Sequence, residues 1–207
     1  MNHREIVLML VFILVVPLGG CKAPEPIFAD DFSDASSGWE VFDNSLTSAN
    51  YVEGSYRISL LQKNKEKWVL ANQDFGDVAI EVDATYMGGT ADNSFGVVCK
   101  FQDIKQYYAV VISSDGAYMI QKRVGGSYQR LTGEYFQLSE QIKPGTMVNR
   151  LRVECGQDYL ALYVNKELIN RVEENTYSQG DVGLIVTTYG EPGLTVSFDN
   201  FEVYPLP

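Results

Sequence analysis

From residue 27 onward, apolar and polar side chains alternate with a period of two over most of the chain. In Val78-Ala79-Ile80-Glu81-Val82-Asp83-Ala84, apolar residues hold the even positions and two acids lie between them. Successive side chains of a strand point to opposite faces, so this spacing predicts a half-buried strand. Tyr107–Ile112 is almost wholly apolar and predicts a central strand covered on both sides.

Two-residue turn signals separate these runs. Asp115-Gly116 divides Tyr107–Ser113 from Ala117–Val124, and Gly125-Gly126 divides the latter from Ser127–Thr132. Asn165-Lys166 divides Tyr159–Val164 from Glu167–Val172. Asn and Gly accept the positive φ that tight hairpins demand. Helical periodicity is absent from every twelve-residue stretch; only Asn175–Gln179 is expected to form one turn. About a dozen strands joined by short turns predict a single all-β domain, a two-sheet antiparallel sandwich.

The first twenty residues break the pattern. Met1-Asn2-His3-Arg4 is weakly basic, Ile6 to Leu18 is an apolar run interrupted by Pro17, and Leu18-Gly19-Gly20-Cys21 follows. The apolar run is shorter than the ~20 residues that a spanning helix needs, and it fits a signal peptide. An aliphatic residue, two small residues and a cysteine look like a bacterial lipobox. There the Cys21 thiol receives a diacylglycerol and the chain is cut just before it. Lys22-Ala23-Pro24-Glu25-Pro26 reads as an extended tether, because each Pro turns its predecessor away from helix. The expected organisation is a lipoprotein signal peptide at 1–20, a tether at 21–26 and a sandwich domain at 27–207. The expected location is extracytoplasmic, lipid-anchored to a bacterial cell membrane.

Composition removes whole classes of chemistry. Acidic residues outnumber basic ones 27 to 16, which argues against nucleic acid, whose phosphates need clustered Lys and Arg. The single histidine, His3, lies in the leader, so the remainder has no imidazole for Ser-His-Asp or Cys-His catalysis or for histidine-ligated zinc. Any catalysis falls to carboxylates, Lys, Arg or Tyr.

Outside the cytoplasm disulfides persist. Cys99 and Cys155 both sit in strand-like runs, and a bond between them is expected. Two buried free thiols, or a reactive Cys99 beside Lys100, are the alternatives.

The order of segments carries a resemblance. The domain opens on Asp30-Asp31-Phe32-Ser33-Asp34-Ala35-Ser36-Ser37-Gly38-Trp39 and closes on Phe198-Asp199-Asn200-Phe201-Glu202-Val203. Between them come Tyr51–Ile58, Phe75–Val78, Phe95–Val97, Asn149–Glu154, Leu160–Asn165 and Gly180–Leu184. This series resembles the concanavalin A-like lectin/glucanase jelly rolls, and more narrowly the laminin-G-like and 3-keto-disaccharide hydrolase-type domains of exported bacterial proteins. The resemblance implies two curved antiparallel sheets, adjacent first and last strands, and a concave face that receives glycans.

Three function classes follow. A binding module holding a glycan or cell-envelope component is preferred; its expected lining is Trp68, Tyr86, Lys100, Tyr108, Arg123 and Arg152, together with Glu81 and Asp83, because aromatic rings stack on sugars and polar groups bond their hydroxyls. A glycoside-cleaving enzyme would use Glu81 and Asp83 as its carboxylate pair. The resemblance works against that reading: the retaining glucanases carry Glu-x-Asp-x-x-Glu, and the last position here is Tyr86. A docking domain for another envelope protein is the third. No cofactor is required, although Asp30, Asp31, Asp92, Asn93, Asp199 and Asn200 are hard oxygen donors suited to a structural calcium.

Overall fold

The computed structural model describes residues 24–206. The expected leader, Cys21 and the first part of the tether lie outside the described residues. Sixteen strands follow in chain order: β1 (Phe28–Asp30), β2 (Phe42–Asp43), β3 (Thr47–Val52), β4 (Ser55–Leu60), β5 (Lys65–Phe75), β6 (Val78–Gly89), β7 (Asn93–Asp103), β8 (Gln106–Ile112), β9 (Ala117–Val124), β10 (Ser127–Arg130), β11 (Gln137–Leu138), β12 (Asn149–Cys155), β13 (Tyr159–Val164), β14 (Glu167–Glu173), β15 (Gly180–Thr188) and β16 (Leu194–Pro205). The described residues contain no helix. Asn175–Gln179 forms no helical turn; its backbone is held by side chains instead, Thr176 N–H donating to Glu174 and Tyr177 N–H to the Tyr108 hydroxyl.

Two antiparallel sheets face each other. The nine-stranded sheet runs β14-β13-β12-β6-β16-β4-β3-β2, and β1 lies against β16. First and last strands are therefore neighbours, with Phe28 opposite Val203. The seven-stranded sheet runs β10-β9-β8-β7-β15-β5, and β11 lies against β9. Tight hairpins join neighbours where both turn residues have positive φ, as at Gly125-Gly126 (57° and 86°) and Asn165-Lys166 (53° and 77°).

The core forms where the inward sets meet. Ile80, Val82, Leu151, Val153 and Phe198 from one sheet pack on Val97, Val110, Ile120, Leu184 and Val186 from the other. The Cys99–Cys155 disulfide joins β7 to β12 across this core, with Cα atoms 6.7 Å apart. An aromatic group of Phe32, Trp39, Tyr51, Tyr56 and Phe201 adds to the core where the chain enters.

One bulge reverses the expected alternation. Parity would send Val97, Cys99 and Phe101 inward and Lys100 outward. Lys100 instead takes φ +48°, and the β7–β8 register slips after Cys99. An extra residue exchanges the two faces beyond it. Lys100 turns into the interior and is 1% exposed, while Phe101 joins the outer face beside Val98.

Candidate functional site

The outer face of the seven-stranded sheet is apolar. Val98, Ala109, Val111, Met119 and Ile185 all point away from the core and are fully buried. No third sheet covers them, so the sheet must curl and its own side chains must roof it. Gly96 and Gly183 permit the curl. A Cβ at Gly96 would lie 2.3 Å from the Val110 carbonyl oxygen, and one at Gly183 would lie 2.1 Å from that of Val69. Strand glycines mark such close approaches. Trp68, Leu70, Tyr128 and Phe136 close over the floor from the sides.

A carboxylate sits among tyrosines on this face. Glu66 shares a face with Trp68 and Leu70 by the strand's alternation. Tyr107 Oη donates to Glu66 Oε1 at 2.8 Å, Tyr128 Oη donates to the other carboxylate oxygen, and the two hydroxyls are 2.9 Å apart. Burial, and then the charge of Glu66, push both tyrosines far above the ordinary phenol range, so both remain donors. Phe101 stacks on Tyr107 with centroids 5.0 Å apart, and Trp68 packs on Phe101 at 4.8 Å. Arg123 lies opposite Tyr107 on one side and Tyr128 on the other. Its guanidinium carbon is 4.5 Å from the Tyr128 ring centroid.

A cleft of about 500 Å³ continues from this group. Its walls include Asp92, Ser113, Asp115, Arg130, Phe136 and Tyr189. Tyr189 links the two parts: its hydroxyl lies 2.9 Å from Ser94 Oγ, and its ring meets Phe136 at 6.1 Å, edge to face. Burial raises its pKa against the hydrogen bond with Ser94; Glu66 and Asp92 add to the rise and Arg130 opposes it. Gly190 N–H fixes Asp92 Oδ2 at 2.7 Å, and Ser113 Oγ donates to Asp115. The cleft has a size usual for small-ligand sites. Flat rings beside acids and guanidinium groups suit a ligand with apolar ring faces and many hydroxyls.

The expected lining is divided among three places. Trp68 and Arg123 share the concave face. Tyr108 faces the core, 1% exposed, with its hydroxyl bonded to Glu174 and Tyr177. Lys100 is buried by the bulge, where it donates to Asp77 and to the Gly156 carbonyl. Tyr86 packs against the core margin. Arg152, Glu81 and Asp83 lie on the outer face of the nine-stranded sheet, away from the cleft. There Arg152 Nη1 contacts Glu81 Oε1 at 2.8 Å, Arg150 contacts Glu81 Oε2 at 3.1 Å, and Asn200 donates to Asp83 at 2.9 Å. The carboxylate pair is thus occupied by cations and an amide.

The oxygen donors expected around calcium also separate. Asp92 and Asn93 stand at the cleft, whereas Asp30, Asp31, Asp199 and Asn200 lie near the chain entry. Asp30 accepts from Trp39 Nε1 at 2.9 Å and from Phe32 N–H at 2.7 Å. Asp31 accepts from Ser33, and Asp199 from the Asn200 N–H. Among the described residues, no group of three or more acidic, histidine or cysteine side chains is placed to hold a metal.

Glu66, Tyr107, Tyr128, Arg130, Phe136 and Tyr189 were not singled out by sequence reasoning. One signal was available: Glu66 stands two residues before Trp68 on a strand and must share its face.

No protein-family profile matches the chain, and no curated protein matches it either. Solved structures do. The carbohydrate-binding module CBM66 from Bacillus subtilis superposes at a TM-score of 0.66 and 15% identity, covering 81% of this chain and 96% of that one. The GH43 protein BlXynB from Bacillus licheniformis gives 0.64 at 15% identity, covering 86% of this chain, which spans 39% of that protein. A Bacillus subtilis protein of unknown function with a galectin-like fold gives 0.62 at 11% identity, covering 88% and 97%. These likenesses establish the fold, a concanavalin A-like jelly roll.

Proposed function

We propose that this chain is an extracytoplasmic glycan-binding module, held at a bacterial membrane by acyl chains on Cys21. One observation carries the binding reading. The concave face joins stacked rings, a tyrosine-held carboxylate and a cleft lined by acids, an arginine and aromatic rings. Sugars present apolar ring faces and directional hydroxyls, and this lining meets both. The structural neighbours include a carbohydrate-binding module and a GH43 protein, which supports the same reading. The lipobox-like Leu18-Gly19-Gly20-Cys21 supports the anchor.

Two experiments test the proposal. The Cys21→Ser protein should fail to incorporate labelled palmitate and should keep its leader; palmitate labelling of that variant would remove the anchor. The protein expressed without residues 1–21, passed over a panel of immobilised polysaccharides, should be retained on at least one, and Trp68→Ala should weaken that retention. No retention on any polysaccharide would overturn the binding reading.

A further inference from the structure

Arg123 is the least satisfied charge on the concave face. Its Nε is buried and has no hydrogen-bond partner among the described residues. Neither its Nε nor its Nη groups make a hydrogen bond or ion pair with any described residue; the guanidinium lies 4.5 Å from the Tyr128 ring centroid, its charge acts on Tyr107, and only its backbone carbonyl is bonded, by the Tyr177 hydroxyl. This occurs in a chain where acids outnumber bases 27 to 16. Glu66, the acid held by Tyr107 and Tyr128 through both carboxylate oxygens, is not its partner. On the other sheet, Arg150 is paired with three acids and Arg152 with two. Arg57 also leaves Nε without a partner, but on that other sheet and with no ring stacked on it among the described residues.

Burying a guanidinium nitrogen without a partner is costly. Stacking on Tyr128 fixes the fork in place and leaves its edge free. A planar, pre-oriented fork of N–H donors is the natural receptor for a bidentate oxyanion.

We infer that the glycan carries an anionic substituent, a carboxylate or a sulfate, which is received by Arg123. This rests on the glycan-binding reading above. The acids Asp92 and Asp115 line the cleft beyond Tyr189. They would repel a second charge and accept hydroxyls instead. The fitting ligand therefore spaces its acidic groups with neutral sugars.

The test uses matched pairs on the protein expressed without residues 1–21, at physiological salt. One pair is hyaluronan oligosaccharides and their carboxyl-reduced forms; the other is carrageenan oligosaccharides and their desulfated forms. Neutral polysaccharides complete the panel. The charged member of one pair should bind about 10- to 100-fold more tightly than its neutral twin, and the responding pair identifies the oxyanion. Arg123→Gln should erase the difference while lowering the melting temperature by only a few degrees, since the guanidinium stacks on Tyr128 but makes no hydrogen bond or ion pair with a described residue; Arg123→Lys should retain part of it. Equal binding of both members, or a preference that survives Arg123→Gln, overturns the inference and leaves the glycan reading standing. Failure of every sugar in the panel to bind overturns both.

Discussion

Lys100 Nζ lies 3.0 Å from Asp77 Oδ1, with the lysine side chain 1% exposed and the aspartate 38% exposed. The lysine also donates to the Gly156 carbonyl at 2.7 Å. A charge enters the interior here because it meets a carboxylate and a backbone oxygen together. Removing one partner of such a pair strands the other. Asp77→Ala is expected to destabilise by about 2 kcal/mol, less than a fully buried pair would lose, because water reaches the aspartate. Lys100→Met combined with Asp77→Ala should be less harmful than Asp77→Ala alone. Urea midpoints of the three variants would check this, and a double variant weaker than the single one would refute it.

Cys99 and Cys155 cross-link the sheets over a sequence separation of 56. Restricting an unfolded chain over a loop of this length contributes roughly 4 kcal/mol in the chain-entropy description. The Cys99→Ser, Cys155→Ser protein should therefore melt about 10 °C lower in a domain of this size. Scanning calorimetry of oxidised and doubly substituted protein measures the difference. Equal melting temperatures would show that the bridge contributes nothing.

Glu174 gives the fold an acid limit. Burial alone would raise its pKa, but hydrogen bonds from Lys122 and Thr176 outweigh that and bring it down to about 2. A folded value below the unfolded one stabilises at pH above 4.5, and that contribution is lost as pH falls toward 2. Melting temperature should drop between pH 5 and pH 2, and Glu174→Gln should flatten that drop while starting lower at pH 7. Parallel pH profiles for the two proteins would contradict the assignment.

Gly96 and Gly183 can be tested without any ligand. A Cβ at either would sit within 2.3 Å of a backbone oxygen on the neighbouring strand. Neither obstacle is a flexible side-chain end, so the strands themselves would have to part. Alanine at each position should cost about 3 kcal/mol, at the upper end for overpacking, and should weaken glycan retention by flattening the concave face. Unchanged stability would mean that the curl does not depend on them.

Glu66→Ala would leave the Tyr107 and Tyr128 hydroxyls with only each other to bond, so that one of the two donors is stranded. A loss of about 1–3 kcal/mol in stability is expected from the stranded donor, together with weaker binding to whichever polysaccharide retains the parent. Tyr128→Phe, which keeps the ring under Arg123, should lose less of either. If Tyr128→Phe proves the more damaging change, Glu66 is not the centre of the group.

Strand positions were readable because period two is a direct consequence of backbone geometry. Val78–Ala84, Ala117–Val124 and Tyr159–Val164 all lie within observed strands. The bulge at Lys100 was not readable: a single positive φ at a non-glycine residue leaves no compositional trace, yet it exchanged the faces of Lys100 and Phe101. The same limit hid the site. Alternation states which residues share a face, but not which of two sheets is hollow, and Arg152 was therefore grouped with Trp68 although they belong to different sheets. Glu66 lies between Lys65 and Lys67, in a run of charges that carries no sign of burial. Only the curl of the sheet brings it under two tyrosines from distant strands.

The pairing of β1 with the end of β16 sets where the molecule can be held. Phe28 enters beside Val203, and Val203 lies beside Ile80 at the start of β6. The twelve residues of β6 then run roughly 36 Å before the chain turns at Asp92 toward the cleft. Anything gripping the protein ahead of residue 27 holds it by the base, with the mouth at the opposite pole. Beads or sensor surfaces coupled through that segment should leave capture unhindered, whereas coupling through a cysteine placed in the loop after β10 should obstruct it.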